Sequence, residues 1–310
     1  MRTAQPLRHF IDIEHLDKET LLGIIRQGHL YKKQSHATID ILKGKELALI
    51  FEKPSTRTRV SFEVAMHELG GHVTSLTGKE MQLGHGESLA DTARVMSRFV
   101  SAMVIRTFEH ADMEEFAKYS TVPIINGLTN QSHPCQVIAD LMMVEERLRR
   151  LSNFTVAWCG DGDNNVLNSW MQAAGILGFE VRIACPDAYS PVPELLERYQ
   201  QRANISIAPT IEDAVSGANV VITDTWISMH HTDADERREI FQDYQVNSAV
   251  MALAHHEAIF MHCLPAHRGE EVTDAVMDGA QSVVFDEAEN RLHAQKAILM
   301  WCFNILLRGT

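Results

Sequence analysis

"ELALIFEKPSTRTRVSFEVAMHEL", residues 46–69, changes character half-way along. Its first six residues, 46–51, are an apolar run of strand length, and 58–69 carry the spacing of a helix. Between them Pro54 fixes a turn, and Ser55, Thr56, Arg57, Thr58 and Arg59 lead into the helix. A buried strand, a short loop and a helix in that order make a βα unit. The same rhythm returns along the chain. Further strands are expected at "AMVIRTF" (102–108), "VPIINGL" (122–128), "FTVAWCG" (154–160), "EVRIACP" (180–186), "NVVITDTW" (219–226), "AIFMHCLP" (258–265) and "SVVFD" (282–286). Helical patterns at 134–150, 166–177 and 193–202 separate them, and a last amphipathic helix is expected at about 290–307. Strands alternating with helices imply parallel sheets covered by helices.

The chain has 310 residues, which suggests two domains. The charged stretch "VEERLRRLSN" (144–153) is the best boundary, giving 1–148, 149–289 and a final segment, 290–310, that returns to the first domain. The expected fold is therefore α/β, two domains, each a mostly parallel sheet flanked by helices. Ligands of such sheets bind beyond the carboxyl ends of the strands, here in the cleft between the domains.

A formal net charge of −13 argues against a nucleic-acid or anionic-membrane surface, so any anion site must be local. Five scattered cysteines without a CxxC pair fit free thiols in a reducing, cytoplasmic setting. The N-terminal stretch lacks the apolar core of a signal peptide, and no run is long enough to span a membrane. Sixteen histidines raise the question of zinc, but none lies in HExxH or at cysteine–histidine ligand spacing. The pairs His230–His231 and His255–His256 are sequence neighbours, which point apart on a helix or strand. No metal and no cofactor are expected. Gly160-x-Gly162 resembles half of a dinucleotide fingerprint, but Asn165 stands where the third glycine belongs and no acidic residue closes the following strand.

The strand ends carry the unusual polar residues. At Ser55–Arg59 free backbone N–H groups, hydroxyls and guanidinium groups describe a phosphate cradle. Arg106 is a charge within an otherwise apolar strand, which is costly without a partner. His133 precedes Pro134, so His133 and Gln136 face the same rim at a helix start.

Together "STRTR" (55–59), "HPCQ" (133–136) and "HCLP" (262–265) resemble the aspartate/ornithine carbamoyltransferase family over essentially the whole chain. "DTWISM" (224–229) and Gln82, where the aspartate enzymes tend to carry a lysine-bearing loop, resemble its ornithine branch. The resemblance implies carbamoyl phosphate and L-ornithine as substrates and L-citrulline and phosphate as products. It makes 1–148 the carbamoyl phosphate domain and 149–289 the ornithine domain. It implies that Ser55, Thr56, Arg57, Thr58, Gln82, Arg106, His133, Gln136 and Arg291 bind carbamoyl phosphate, with Gln82 supplied to a neighbouring subunit of a homotrimer. Arg57, Arg106, His133 and Cys263 would be catalytic, His133 donating with Arg106 and Thr58 to the carbonyl oxygen. Asn165 would take the ornithine carboxylate and Asp224 and Ser228 its α-ammonium. Met229 would add a backbone donor, with Cys263 and the Leu264 carbonyl near the side-chain nitrogen. A covalent thioester on Cys263 is not needed, since an acyl phosphate is already activated.

One departure stands out: His230 takes the third place of the branch's Ser-Met-Gly, where glycine would let a loop close. Transfer to another amine, such as putrescine or an N-acylated ornithine, is the alternative reading. Retained Asp224, Ser228 and Met229 speak against a diamine, and the loop around Gln82 speaks against L-aspartate.

Overall fold

The computed structural model describes residues 6–34, 38–77, 87–227 and 233–305. Two compact units emerge: Met1–Ala139 with Asn290–Thr310, and Asp140–Glu289.

In the first unit α1 (Lys18–Lys33) precedes β1 (Glu46–Phe51), α2 (Thr56–Glu68), β2 (His72–Thr77), α3 (Leu89–Phe99), β3 (Ala102–Arg106), α4 (His110–Tyr119) and β4 (Ile124–Leu128). The chain then enters α5 (Pro134–Leu148), within which it passes to the second unit. All pairings are parallel, in the order β2-β1-β3-β4. β1 is buried beyond its first residue, as a strand covered on both faces must be, whereas edge strand β2 is partly exposed throughout. Ala48, Ile50, Met103, Ile105 and Ile124 pack with Ala93, Met113 and Phe116 of α3 and α4.

The second unit runs β5 (Thr155–Cys159), α6 (Asn165–Leu177), β6 (Glu180–Ala184), α7 (Pro193–Gln200), β7 (Ile205–Ile207), α8 (Ile211–Val215), β8 (Val220–Thr223), α9 (Ala234–Phe241), α10 (Ser248–Met251), β9 (Ile259–Met261) and α11 (Asp274–Met277), and the chain returns to the first unit within α12 (Val284–Cys302), at Asn290. The second unit's sheet is parallel, β7-β6-β5-β8-β9. Its core joins Ala157, Val221 and Phe260 of the sheet to Val215, Val250, Met251, Val276 and Met277 of the covering helices. In each sheet the strand order reverses, between β1 and β3 and between β5 and β8, and ligand crevices form beyond the carboxyl ends at such reversals.

The expected strand at 282–286 is not one. Ser282 makes a single bridge to Phe260, and Val284 already opens α12, so the helix begins before residue 290 and ends at Cys302. Val283 and Val284 are buried there, and a short apolar run reads alike in a strand and in a buried helix start. β2 and β7 escape the sequence reading because edge strands carry a weak apolar pattern. Among the described residues no helix is long and apolar enough to cross a membrane.

Candidate active site

In the first unit Ser55 caps α2, its Oγ accepting the Thr58 N–H at 3.2 Å. The N–H groups of Thr56 and Arg57, in the first turn, have no acceptor within the helix and add to its positive end. The Thr56 and Arg57 side chains are exposed, whereas Thr58 is buried. Arg291 in α12 donates from Nη2 to Thr58 Oγ1 at 2.6 Å and from Nη1 to Gln136 Oε1 at 2.9 Å. One rigid guanidinium thus joins the first turns of α2 and α5. His133, 3 % exposed, immediately precedes Pro134 at the start of α5. Burial, and then the positive charges of Arg291, Arg106 and Arg57, hold its pKa well below the ordinary histidine value. The imidazole is therefore neutral at physiological pH, with one N–H to donate. Three guanidinium groups from three separate elements act on this one ring, which brings Arg57, Arg106, Thr58, Gln136, His133 and Arg291 into one constellation.

Lys53 belongs to the same rim. Its Nζ donates to Asn130 Oδ1 at 2.5 Å and lies 4.1 Å from the Phe108 ring centre, so it ties together the loops after β1, β3 and β4. Burial and then Arg106 lower its pKa to about 8. The sequence shows Lys53 beside the cradle, but its partners are 55 and 77 residues away and no local pattern announces them. In a chain of net charge −13 this is a concentrated cationic cluster, suited to a polyanionic group such as a phosphate.

In the second unit the switch-point strands β5 and β8 deliver the loop 160–164, which leads into α6, and Asp224. Asp224 Oδ1 accepts from the Thr225 N–H at 2.8 Å and from the Cys263 thiol at 3.1 Å, and Oδ2 accepts from Asn164 Nδ2 at 2.9 Å. Asn164, which sequence reasoning missed, also caps α6 by accepting from the N–H groups of Val166 and Leu167. Asn165 is the first residue of that helix and is half-buried. Burial, and then Asp224, push the Cys263 thiol well above its ordinary pKa. Cys263 is thus a protonated donor to the carboxylate and a poor nucleophile. Leu264 adopts a left-handed φ of 59°, and its N–H donates to His262 Nδ1 at 2.9 Å. That leaves His262 Nε2 to donate to Glu271 at 3.1 Å, within a buried pair that fixes the "HCLP" segment.

A second anchor was also missed. Buried Arg237 donates from Nε to the Trp226 carbonyl at 2.5 Å and from Nη2 to Asp161, its guanidinium carbon 4.5 Å from the Tyr189 ring centre and 5.0 Å from that of Phe241. It clamps the loop after β8 to the loop after β5. Ser228, Met229, His230 and His231, and likewise Gln82, lie outside the described residues.

The two glycines of the half-fingerprint have packing reasons of their own. Gly160 has φ 126°, and a Cβ on Gly162 would lie 2.6 Å from the Tyr189 carbonyl oxygen and 2.8 Å from Pro191 Cδ. Gly162→Ala should destabilise the fold by about 1–3 kcal/mol, since backbone must shift to admit the methyl. Thermal melting checks it; an unchanged midpoint would contradict the tight packing of residues 185–191.

Three groups among the described residues hold potential metal ligands within 4.8 Å of one another: Asp224–His262–Cys263, His255–His256–Glu257 and His267–Glu270–Glu271. In the first, both nitrogens of His262 are already hydrogen-bonded. His255 and His256 do not point apart as expected. They lie in a turn, not a helix or strand, and their ring centres are 4.3 Å apart.

Residues 8–146 match the family profile described as aspartate/ornithine carbamoyltransferase, carbamoyl-P binding domain, and residues 152–302 match its Asp/Orn binding domain. The chain belongs to the aspartate/ornithine carbamoyltransferase family. The ornithine carbamoyltransferase of Rhodopseudomonas palustris strain BisA53 is 52 % identical over 304 residues, 96 % of this chain and 97 % of that one. Among solved structures, the ornithine carbamoyltransferase from Pyrococcus furiosus is 45 % identical with a TM-score of 0.91, covering 94 % of this chain and 96 % of its own. The anabolic ornithine carbamoyltransferase from Campylobacter jejuni is 38 % identical with a TM-score of 0.90, covering 96 % and 99 %. The family's first profile spans Ser55–Arg59, Arg106, His133 and Gln136; its second spans Asn165, Asp224, Cys263, Leu264 and Arg291.

Proposed function

We propose that the chain is a transferase that moves the carbamoyl group of carbamoyl phosphate to the side-chain amine of L-ornithine, giving L-citrulline and phosphate. The convergence of Arg57, Arg106 and Arg291 on a neutral His133 carries the reading. A ring held neutral among cations donates a hydrogen bond without adding a titrating charge, as a growing oxyanion requires. Ser55, Thr56, Arg57 and Thr58 hold the phosphate at the α2 N-terminus with Arg106 and Arg291. His133, Arg106 and Thr58 donate to the carbonyl oxygen, and Gln136 to the carbamoyl group. Asn165 takes the ornithine carboxylate, Asp224 and Ser228 its α-ammonium, and the Met229 N–H adds a backbone donor. Cys263 and the Leu264 carbonyl lie near the reacting nitrogen.

The neutral amine attacks the carbamoyl carbon, negative charge grows on the carbonyl oxygen, the bond to phosphate breaks, and phosphate leaves with the amine's proton. Residues 1–148 form the carbamoyl phosphate domain and 149–289 the ornithine domain. Positioning two substrates lowers a barrier by roughly 7–11 kcal/mol, which fits a site made of binding groups. The protein works in the cytoplasm, in arginine metabolism, as a homotrimer in which Gln82 completes a neighbouring subunit's site.

The test is citrulline and phosphate release from carbamoyl phosphate and L-ornithine over a range of pH. Equimolar products, with kcat/KM for ornithine rising with pH as the amine loses its proton, are expected. An S-carbamoyl adduct on Cys263, formed from carbamoyl phosphate alone with release of phosphate, would contradict direct attack.

A further inference from the structure

The turn that sets His133 is held from behind. Residues 129–132 close on the Thr129 N–H, which donates to the Ser132 carbonyl at 2.9 Å, and on Thr129 Oγ1, which accepts from the N–H groups of Gln131 and Ser132 at 3.2 and 3.1 Å. The same hydroxyl is hydrogen-bonded to His110 Nδ1 at 3.0 Å, and His110 Nε2 lies 3.3 Å from Asp12 Oδ2. Asp12 is 2 % exposed and His110 opens α4. A hydroxyl, an imidazole and a carboxylate thus lie in line, and all three belong to the first unit. The far end of the line is fixed as well. Phe10 bridges Ile125 in parallel, its N–H donating to the Ile124 carbonyl and its carbonyl accepting the Asn126 N–H, both at 2.8 Å. Asn126 Nδ2 then reaches both the Ile11 carbonyl and Ser132 Oγ at 2.9 Å. The bridge at Phe10 therefore fixes the N-terminal segment beside β4, and two residues on, Asp12 braces the turn through His110.

We propose that His110, held between Asp12 and Thr129, is a positioning residue of the anion-binding half of the site, acting through the turn 129–132 on His133 and the N-terminus of α5. This rests on the carbamoyl-transfer reading only for the identity of the anion. Burial disfavours charge on His110, but the Asp12 hydrogen bond and the charges of Asp12, Glu114 and Glu14 outweigh it, so its pKa is raised. Thr129 Oγ1 already accepts two N–H groups, so its own O–H donates to His110 Nδ1, which leaves Nε2–H to donate to the Asp12 carboxylate. His110 touches no substrate in this scheme. Its effect is geometric, and displacement of a positioned group can cost up to about a hundredfold.

The experiment compares the wild-type protein with H110F, H110Q and D12N by calorimetric titration with inorganic phosphate, by separate KM values for carbamoyl phosphate and ornithine, and by thermal melting. H110F should weaken phosphate binding and raise the KM for carbamoyl phosphate by roughly tenfold or more, with the ornithine KM little changed. Glutamine keeps a donor and an acceptor, so H110Q should recover most of the loss. D12N retains the imidazole and should shift phosphate affinity in the same direction as H110F, which keeps the test available if H110F fails to fold. A lower melting temperature with unchanged phosphate affinity in D12N or H110F would make the line purely structural and overturn the proposal, as would equal rises in both KM values. If the wild-type protein binds phosphate but makes no citrulline, the functional reading fails while the phosphate titrations still decide this inference.

Discussion

Arg57→Ala is expected to lower carbamoyl transfer by roughly a thousandfold or more, the scale for loss of a preorganised donor at developing charge. The fold should be untouched. The side chain is exposed in the first turn of α2, and neither the Ser55 cap nor the Ser61 hydroxyl bond at 2.6 Å, made to the Arg57 backbone carbonyl, depends on it. Surface substitutions of that kind change stability by about 0.5 kcal/mol at most. Arg57 is also one of the three cations that depress the His133 pKa, behind Arg291 and Arg106. Its loss should therefore let the His133 pKa rise part of the way toward the ordinary histidine value, a shift that NMR of the ring would register. Steady-state rates, melting temperature and that titration together check the assignment. Activity within tenfold of wild type would remove Arg57 from the site.

Asp224→Asn is expected to reduce kcat/KM for ornithine by roughly a hundredfold or more, because a cationic group loses its charged partner. Phosphate affinity should be unchanged, since Asp224 belongs to the other unit. The isosteric change is not a mild one here. Asp224 accepts from three donors, Thr225 N–H, Cys263 Sγ and Asn164 Nδ2, and an asparagine amide has only one oxygen to offer them. If its NH2 faces Asn164, two donors meet, and Asn164 cannot flip without surrendering the cap of α6. A melting temperature lowered by a few degrees should accompany the kinetic loss. An unchanged ornithine KM would exclude Asp224 as the ammonium partner.

The architecture was legible because strands buried on both faces, such as β1 and β5, print continuous apolar runs, and Ser55 and Pro134 mark helix starts in the sequence itself. Much of the anion half-site was legible for the same reason: Arg106 is the last residue of β3, where a charge is conspicuous, and Ser55–Arg59 and His133 follow β1 and β4 within a short loop and the helix start after it. What stayed hidden depends on distant partners. Lys53 is defined by Asn130 and Phe108, Asn164 by Asp224, Arg237 by Asp161 and Trp226, and His110 by Asp12 and Thr129. None of these pairs has a fixed spacing from which a contact could be inferred. The segment 282–286 misled for a different reason, since two valines before an acidic first turn serve equally to end a sheet bridge and to begin a helix.

The most direct measurement is a competition. Limiting isotopically labelled carbamoyl phosphate is offered to the wild-type chain with equimolar L-ornithine, putrescine and L-aspartate, and the labelled products are separated by chromatography. Label almost entirely in citrulline is the predicted result, because the roles proposed for Asp224 and Asn165 require an α-ammonium and an α-carboxylate, which putrescine lacks. Label mainly in the putrescine or aspartate product would contradict the acceptor assignment.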